Sequence, residues 1–465
     1  MQFIKKVEGN AEKLGNNDFI WIDENGNESR RLSFKDLYER SGGVAYDLIN
    51  KYKLKPGEDK VIICYPFGLE FLIGFLACLR AGLIAVSIYP PNPQNLNVDL
   101  PKFRNMIKDS QTNIILTTNK YSWIVFGTSF FKKWPNNLKW IATDKIKSNK
   151  NFENYIAKPD DIAFIQYTSG STSQPKGVMI SYLALEENIK ILCNDLKIYR
   201  SSILVCWVPQ YHDYGLIANY LATCYIGNKL ICMSPVTFIS KPLLWAKCIE
   251  KYKATNTMAP DFSYALLGKR IQSNKKSFDF SSLKDANIAA EPINPTTIKQ
   301  MIEIGIPENA INQTYGCAEM VAHVCSGGKG TYKGFPSCGI MKKDIIIVNK
   351  NSFKILKDEQ VGLILIRGND LASGYYNQPE LTFKRFHVVL YEKEYFNTGD
   401  LGFVYNQELY VTGRFKEVII INGRNIYPTD IERDFEFVLN SEFDSSIIRP
   451  GCTAAFQHTE SRVGI

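Results

Sequence analysis

Short apolar runs of strand length alternate with helical patterns along most of this chain. The strand-like runs cover residues 19–23, 60–65, 84–89, 114–117, 140–142, 163–167, 204–209, 229–233, 254–258 and 286–290. Strands that are separated by helices form βαβ units, because parallel neighbours need a crossover connection. The alternation therefore predicts an α/β protein with a large N-terminal body of two βαβ-type subdomains and mostly parallel sheets.

The pattern changes after about residue 335. Short β-rich runs with Gly turns follow, at residues 344–348, 362–367 and 409–412. Closely spaced strands without intervening helices are typical of small barrels and sandwiches. We therefore expect a small β-barrel-like subdomain over about 335–415, attached to the larger α/β body.

Composition limits the class of protein. A chain of 465 residues exceeds what one core usually supports, and 45% hydrophobic with 22% charged residues is typical of globular domains. The net charge of +8 comes from scattered lysines, which fits anionic ligands and gives no argument for nucleic acid. Eleven cysteines without a Cys-x-x-Cys pair predict reduced thiols and a cytoplasmic protein, and the four histidines lack metal-ligand spacing.

The most membrane-like run covers residues 71–88. It carries Arg80 at its middle and Gly74 and Gly82 within it, and Pro90-Pro91 closes it. A spanning helix needs a longer uninterrupted apolar stretch. We expect a buried helix that leads into a buried strand, hence no membrane span. Residues 1–14 mix charged with apolar side chains, so no signal peptide is expected there.

The segment from Gln166 to Val178, QYTSGSTSQPKGV, places seven Ser, Thr and Gly residues around Lys176 directly after a strand-like run. Small residues let backbone N–H groups approach a polyanion, their hydroxyls donate to phosphate oxygens, and the lysine adds a point charge. The spacing is not that of a Walker loop, because no Ser or Thr follows the lysine. The segment predicts a nucleotide-embracing loop of another kind; the alternative is a flexible Ser/Gly linker.

Four later segments carry candidate chemistry. They are Tyr-His-Asp-Tyr-Gly-Leu at 211–216, Tyr-Gly-Cys-Ala-Glu at 315–319, Phe-Asn-Thr-Gly-Asp-Leu-Gly at 396–402 and Gly-Arg-Phe-Lys-Glu at 413–417. An ATP site needs an aromatic face for adenine, a carboxylate for the ribose hydroxyls, another for Mg²⁺, and cations or amides for the phosphates. Tyr315, Asp400, Glu319 and the 166–178 loop supply these four. Each turn alone is more often structural, whereas their joint occurrence in this order indicates a nucleotide site.

With these motifs the chain resembles the adenylate-forming (acyl-activating) enzyme superfamily over essentially its full length. Within it, three strings resemble the fatty acyl-AMP ligases: Tyr-Pro-Pro-Asn-Pro at 89–93, Tyr-His-Asp-Tyr-Gly-Leu-Ile at 211–217, and Ser-Pro-Val-Thr-Phe at 234–238 with its continuation at 241–245. The resemblance implies formation of an acyl-adenylate from ATP and a fatty acid, with release of pyrophosphate. It further implies Mg²⁺ as cofactor and transfer of the acyl group to the thiol of an acyl carrier protein.

The resemblance also assigns roles, residue by residue. Tyr315 is assigned to stack on adenine, and Gly316 beside it to the nucleotide site. Glu319 is assigned to help hold Mg²⁺. Asp400 is assigned to the ribose hydroxyls with Arg414 beside it, and Lys416 to a hinge. The phosphate loop comprises Thr168, Ser169, Gly170, Ser171, Thr172 and Lys176, and the adenine-side turn comprises Ala289, Ala290, Glu291 and Pro292.

The acyl side is assigned to His212, Asp213 and Gly215. The resemblance places His212 near the acyl carboxylate, at the mouth of the fatty-acid tunnel, and counts it with Lys176 and Glu319 as catalytic. The alternative for His212 is a helix-capping or core histidine. Attack of a carboxylate on the α-phosphate needs positioning and charge neutralisation without an obligatory protein nucleophile, so Cys317 is expected to be a packing residue.

Three departures from the family's pattern qualify these expectations. The family's Gly-Glu is Gly362-Leu363 here. Cys338 follows Glu319 after 19 residues, which leaves little room for the insertion thought to restrict the coenzyme A reaction. Because 49 residues follow Lys416, residues 1–415 are expected to form the adenylation domain and 416–465 a fragment of a small α+β lid that lacks the family's catalytic lysine.

The sequence therefore predicts an enzyme, a fatty acyl-AMP ligase. Two alternatives stay open at this point. One is an ordinary fatty acyl-CoA ligase, and the other is a truncated ATP- or fatty-acid-binding paralogue with little turnover. Losing the lid lysine is expected to cost about 3–4 kcal/mol at the transition state.

Overall fold

A computed structural model describes most of the chain. The described residues are 2–13, 18–168, 175–417, 419–421, 424–426, 428, 431–432, 435, 438–439, 453–459 and 462–464. Its helices are α1 (Gln2–Lys13), α2 (Phe34–Asn50), α3 (Glu70–Ala81), α4 (Leu96–Ser110), α5 (Asn119–Ser129), α6 (Tyr182–Asp195), α7 (Asp213–Gly215), α8 (Ala222–Ile226), α9 (Pro235–Ser240), α10 (Leu243–Tyr252), α11 (Asp261–Ser273), α12 (Pro295–Glu303) and α13 (Pro379–Phe386).

Strands occur along the whole of the described sequence and are more numerous in its second half. They are β1 (Asp18–Ile22), β2 (Glu28–Ser33), β3 (Lys60–Ile63), β4 (Ile84–Ser87), β5 (Ile114–Thr117), β6 (Lys139–Ala142), β7 (Ile162–Thr168), β8 (Lys176–Ser181), β9 (Ile203–Cys206), β10 (Lys229–Met233), β11 (Asn256–Ala259), β12 (Asp285–Ile288), β13 (Ile311–Tyr315), β14 (Cys325–Gly328), β15 (Thr331–Tyr332), β16 (Phe335–Pro336), β17 (Asp344–Val348), β18 (Gly362–Arg367), β19 (Gly374–Tyr375), β20 (Val388–Leu390), β21 (Lys393–Tyr405), β22 (Glu408–Arg414), β23 (Ile419–Ile421), β24 (Arg424–Ile426), β25 (Phe456–Thr459) and β26 (Arg462–Gly464).

The chain divides into two compact units. Unit 1 comprises Met1–Asn256, Cys317–His323 and Asn369–Phe383, and unit 2 comprises Thr257–Gly316, Val324–Gly368 and Lys384–Ile465. The chain therefore passes between the units several times. The boundary expected between residues 415 and 416 separates an adenylation domain from a lid fragment. The division into two units does not test this boundary, which stays a prediction.

Unit 1 contains two sheet regions. In the first, the strand order is β19-β8-β7-β4-β3-β5-β6; β7, β4, β3, β5 and β6 run parallel, and β8 and β19 are added antiparallel. The second has the order β9-β10-β1-β2, with β2 antiparallel to β1. Since parallel strands end at one edge, the residues that follow β3, β4, β5 and β7 emerge together, where α/β proteins place their ligands.

Unit 2 combines a short α/β part with the β-rich region. In the α/β part the strand order is β11-β12-β13-β14, with β12 and β13 parallel and β14 antiparallel. The β-rich sheet has the order β17-β18-β21-β20 with β22 on β21, and the pairs that can be read are antiparallel. A small core of Val348, Leu363, Leu365, Tyr395 and Leu401 lies within it.

These observations confirm the predicted α/β class with mostly parallel sheets and a β-rich subdomain. Local chemistry explains several boundaries. Ser33 caps α2, because its Oγ accepts a hydrogen bond from the Asp36 N–H at 3.0 Å and donates one to the Asp36 carboxylate at 2.7 Å.

The run at 71–88 is a buried helix followed by a buried strand, as predicted. Arg80 on α3 is fully buried, yet its guanidinium donates to Asn154 Oδ1 at 2.7 Å and lies 3.6 Å from the centre of the Tyr38 ring. Burial lowers the pKa of Arg80 to about 10. Among the described residues, no helix has both the length and the apolar character needed to cross a bilayer.

Candidate active site

The strands on either side of the Ser- and Gly-rich loop form an antiparallel hairpin. Thr168 is the last residue of β7 and pairs with Lys176, the first residue of β8. The predicted loop residues Ser169, Gly170, Ser171 and Thr172 lie outside the described residues. Lys176 therefore belongs to a strand, where it is fixed by pairing, rather than to the loop itself.

Tyr375 links two residues that the sequence analysis had placed in separate motifs. Its hydroxyl donates a hydrogen bond to Glu319 Oε1 at 2.6 Å, and the Lys176 Nζ lies 6.0 Å from the centre of its ring. Tyr375 itself is buried and held by β19, which pairs with β8 so that Tyr375 faces Val178. Tyr375 was not predicted from the sequence, in which the Gly-Tyr-Tyr run at 374–376 is the available signal.

Glu319 lies in a short 3₁₀ turn, Ala318–Met320, whose position is set by buried polar contacts. The Glu319 carbonyl accepts a hydrogen bond from the Ala372 N–H at 2.8 Å. The amide of Asn188, on α6, donates to the carbonyl of Met320 at 3.0 Å and to the Asp370 carboxylate at 2.7 Å. Because Asn188 is fully buried, these bonds hold the turn strongly. Asn188 and Asp370 were also missed by the sequence analysis.

His212 occupies the N-cap position of the short helix α7, and its ring pairs with the carboxylate of its neighbour Asp213. Its Nδ1 lies 2.6 Å from Asp213 Oδ1 and 3.3 Å from the Tyr214 N–H, which itself donates to Asp213 Oδ1 at 2.6 Å. The Asp213 carboxylate raises the pKa of His212 above its ordinary value of 6.5, against the opposing effect of burial. The side chain of His212 remains 48% exposed. Asp213 thus engages Nδ1, which leaves Nε2 as the other nitrogen for a ligand.

Gly215 is required by a close backbone approach. A Cβ added there would lie 2.1 Å from the Pro209 carbonyl oxygen. The helix that continues from Gly215 has a π-turn at Leu216–Leu221, a geometry that often marks functional sites. The loop before it is tied to β7, because Gln166 Nε2 donates to the Tyr211 carbonyl at 2.6 Å. The predicted acyl-side residues therefore lie in one constrained segment of unit 1.

Unit 2 brings together Tyr315, Asp400 and Arg414. The Tyr315 hydroxyl, at the end of β13, donates to Asp400 Oδ2 at 2.5 Å. Asp400 on β21 faces Arg414 on β22, whose Nε lies 3.4 Å from Asp400 Oδ1. Asp400 is buried, whereas the Arg414 side chain is 60% exposed. The structure thus joins three predicted nucleotide residues that are up to 99 positions apart in the sequence.

Arg385 supports the turn before Asp400 and was missed by the sequence analysis. Its Nε and one terminal nitrogen each donate at 2.5 Å, to the carbonyls of Asn397 and Thr398. Thr398 Oγ1 in turn accepts from the Asp400 N–H at 3.0 Å. Gly399 between them has φ of 74°, which favours glycine. These bonds hold the backbone turn that carries Asp400.

The predicted adenine-side turn follows β12, and its backbone is unusual. Ala290 is exposed and has φ of 70°, rarely adopted by a residue with a Cβ. The carboxylate of Glu291 accepts a hydrogen bond from the Phe262 N–H at 2.6 Å, in the first turn of α11. Glu291 therefore anchors the turn through its side chain, and Ala289 and Pro292 flank it.

Lys416, the predicted hinge residue, is exposed in the turn after β22. The Phe415 N–H before it donates to the Gly399 carbonyl at 2.9 Å. Gly316 is the last residue of its segment of unit 2, directly before the turn that carries Glu319. No group of three or more His, Cys, Asp or Glu side chains is placed to hold a metal ion in the part of the chain that the structure describes.

Comparison with known proteins identifies the family. The family profile described as AMP-binding enzyme matches residues 7–376. This chain belongs to the AMP-binding enzyme family. The unit 1 residues of the candidate site lie within the match, and so do Tyr315 and the turn at 289–292 of unit 2, whereas Asp400 and Arg414 lie beyond it.

Several proteins similar to this AMP-binding enzyme are named as fatty-acid or fatty-acyl ligases. The medium-chain-fatty-acid–[acyl-carrier-protein] ligase JamA of Moorena producens (strain JHB) is 33% identical over 450 residues, which cover 88% of this chain and 76% of the relative. The long-chain-fatty-acid–AMP ligase FadD23 of Mycobacterium tuberculosis (strain CDC 1551 / Oshkosh) is 27% identical, covering 87% and 76%. A crystal structure of a fatty acyl-adenylate ligase from L. pneumophila, in complex with acyl adenylate and pyrophosphate, has a TM-score of 0.81 at 31% identity, covering 99% and 84%.

Proposed function

We propose that this AMP-binding enzyme activates a fatty acid with ATP. A carboxylate oxygen of the acid attacks the α-phosphorus, the bond to the bridging oxygen breaks, and pyrophosphate leaves with that oxygen. The product is an acyl-adenylate, whose acyl group then passes to the thiol of an acyl carrier protein. Similarity to ligases named for fatty acids and acyl carrier protein supports the choice of substrate and acceptor.

The observation that carries the nucleotide part is the Tyr315–Asp400 pair. A buried carboxylate held by a phenol on one oxygen and a guanidinium on the other is fixed in direction. A carboxylate has about four lone-pair sites for accepting hydrogen bonds. We assign Asp400 to the ribose hydroxyls, Arg414 to a place beside them, and the ring of Tyr315 to adenine. The turn at 289–292 with Gly316 completes the adenine side.

The phosphate side is assigned to Thr168, Lys176 and the residues 169–172. Lys176 supplies a fixed positive charge on β8. Such a cation neutralises the negative charge that develops on pyrophosphate. Glu319 would hold Mg²⁺; a single carboxylate fits, because Mg²⁺ usually takes one or two carboxylates and completes its shell with substrate phosphates and water. When bound, the ion neutralises phosphate charge.

The acyl side is assigned to His212, Asp213 and Gly215. Asp213 raises the pKa of His212, so the imidazolium persists to higher pH and suits an anionic carboxylate. Gly215 keeps the segment close to Pro209. We further propose that residues 1–415 act as the adenylation domain and that Lys416 is the hinge to the segment 416–465.

The test is a product-resolved assay. The protein is incubated with ATP, Mg²⁺ and a panel of medium- and long-chain fatty acids, while pyrophosphate and acyl-AMP are followed, the latter by mass. Coenzyme A or a phosphopantetheine-bearing carrier protein is then offered. We expect acyl-AMP with at least one fatty acid and acyl transfer to the carrier protein; a thioester formed with coenzyme A instead would make the protein an acyl-CoA ligase.

A matched pair of variants ties the activity to the site. Glu319→Gln should lower acyl-AMP formation strongly, because the carboxylate charge is removed with little change in shape. Glu359→Gln, which removes an exposed carboxylate paired with Lys333, should leave the rate unchanged. Absence of acyl-AMP with every fatty acid, or equal rates in the two variants, would reject the proposal.

A further inference from the structure

Four large aromatic side chains are exposed on one side of α5 and the turn after it. Trp123, Phe126, Phe130 and Phe131 are 64%, 58%, 71% and 86% exposed. Adjacent rings touch each other, with centroids 6.0 Å apart for Trp123 and Phe126 and 5.4 Å apart for Phe126 and Phe130. We call these four residues the aromatic ridge. They belong entirely to unit 1 and contain none of the proposed site residues.

The ridge is not needed to attach α5 to the body of unit 1. The opposite side of the helix already does so, through Tyr121 and Val125, which lie in a core with Phe103 of α4. The Tyr121 hydroxyl also donates to the Pro91 carbonyl at 2.7 Å. A surface helix usually has one apolar face, directed at the core, and a polar face directed at water. Here the outward face is apolar as well, which marks an interaction surface.

The charged residues that surround the ridge in the sequence have one sign. Between Asp109 and Asp144 the sequence contains four lysines and neither Asp nor Glu; the lysines are at 120, 132, 133 and 139. Lys120, three residues before Trp123, and Lys133, two residues after Phe131, are both exposed. Positive charge therefore flanks the apolar rings on both sides.

The neighbouring helix α4 adds to this charge. Arg104 Nε donates to the Lys133 carbonyl at 3.0 Å, which brings α4 beside the end of the ridge. The carboxylates of α4 are engaged elsewhere: Asp99 accepts from the Asn92 N–H at 2.8 Å, and Asp109 accepts from the Tyr167 hydroxyl at 2.6 Å. The surface thus combines bulky aromatic rings with lysine and arginine side chains.

We propose that the aromatic ridge docks on an anionic lipid surface. Helices that lie in the membrane interface combine Trp and Phe, whose rings enter the boundary of headgroups and acyl chains, with lysines that meet the lipid phosphates. A protein partner fits less well, since lysine is depleted from protein–protein interfaces. Docking would be peripheral, because the helix is far too short to span. The inference goes beyond the proposed function and does not depend on it.

The first experiment is vesicle flotation with the full chain. We expect binding to vesicles of equal parts phosphatidylcholine and phosphatidylglycerol, and much weaker binding to phosphatidylcholine alone or at high salt. Phe130→Ser with Phe131→Ser should lower the partition coefficient about tenfold or more. Tyr391→Ser is the matched control, because it removes an aromatic ring that is 74% exposed in unit 2 and should leave binding unchanged.

A second measurement places the ridge in the lipid. The chain has six tryptophans, and only the fluorescence of those that enter the bilayer is quenched by brominated phospholipid. We expect quenching in the natural chain and its loss in Trp123→Phe, which keeps the ridge aromatic and should still float. The proposal is overturned if the serine variants float as well as the natural chain, or if quenching persists in Trp123→Phe. It is also overturned if the natural chain binds no vesicles and the ridge variants instead abolish self-association or binding to an acidic protein.

Discussion

The hydroxyl of Tyr375 donates a hydrogen bond to Glu319 at 2.6 Å, while the Tyr375 ring lies 6.0 Å below the Lys176 ammonium. One buried side chain thus supports both the carboxylate proposed for Mg²⁺ and the cation proposed for the phosphates. A carboxylate that is oriented by a second residue is a better metal ligand than a freely rotating one. Tyr375 acts in this arrangement as a positioning residue.

Tyr375→Phe tests this positioning. The ring and its packing stay in place, and only the hydroxyl on Glu319 is removed. Loss of such an orienting partner typically lowers metal affinity or activity by about 10–100-fold. We expect the Mg²⁺ concentration for half-maximal acyl-AMP formation to rise by about tenfold, as measured by pyrophosphate release at varied Mg²⁺.

The next residue along the chain offers the control. Tyr376→Phe removes a hydroxyl that donates to Gln111 Oε1 at 3.0 Å, in an exposed position. The Mg²⁺ dependence should not change in this variant. If both variants lose activity without a change in Mg²⁺ dependence, the Tyr375 hydroxyl serves stability rather than orientation of Glu319.

More of the fold than of the candidate site could be predicted from the sequence. The pattern of apolar runs predicts strands at 114–117, 229–233, 344–348 and 362–367, and the structure has the same residues in β5, β10, β17 and β18. Such strands are either apolar throughout, because both faces are buried, or alternate apolar with polar residues. The local sequence is therefore enough to predict them. The strand predicted at 204–209 ends at Cys206 instead, because Val208 and Pro209 already belong to the turn that Gly215 approaches.

The site depends on contacts between distant segments, which local patterns do not contain. The sequence motifs supplied Glu319 and Asp400, and the family resemblance gave them the same roles, but neither supplied the residues that orient them. Asn188 binds the turn of Glu319 across 132 positions, and Arg385 binds the backbone beside Asp400. An Asn within a helix and an Arg at a helix end are ordinary in sequence. Their role follows only from tertiary structure.

Asp400→Asn should weaken ATP binding selectively. The substitution keeps the shape of the side chain but removes the charge that strengthens its bonds to Tyr315 and, as proposed, to the ribose. We expect the KM for ATP to rise about tenfold with a smaller change in kcat. Asp344→Asn is the control, since Asp344 lies in the same unit, 3.4 Å from the Lys393 ammonium, outside the proposed site. A loss confined to kcat would argue against ribose binding.

The pH dependence of His212 follows from Asp213. Because Asp213 raises the pKa of His212 above 6.5 in the folded protein, the stabilisation from this pair is fully present below pH 6.5 and is lost as pH rises through the raised value. The effect is small, since the side chain is half exposed. Asp213→Asn should lower the pKa of His212, measured by NMR titration of its ring protons. An unchanged titration would show that Asp213 does not control His212.

Gly215→Ala should destabilise the protein, because the new methyl group would lie 2.1 Å from the Pro209 carbonyl oxygen and the backbone must move. Overpacking of this kind costs about 2 kcal/mol or more. Gly9→Ala is the matched control: Gly9 lies within α1 with no atom within 4 Å of an added Cβ, so alanine should stabilise the helix by about 0.5–1 kcal/mol. Urea unfolding of the two variants measures both changes. Equal unfolding midpoints would mean that the segment from Pro209 to Gly215 adapts to a side chain, and that its close approach does not fix the position of His212.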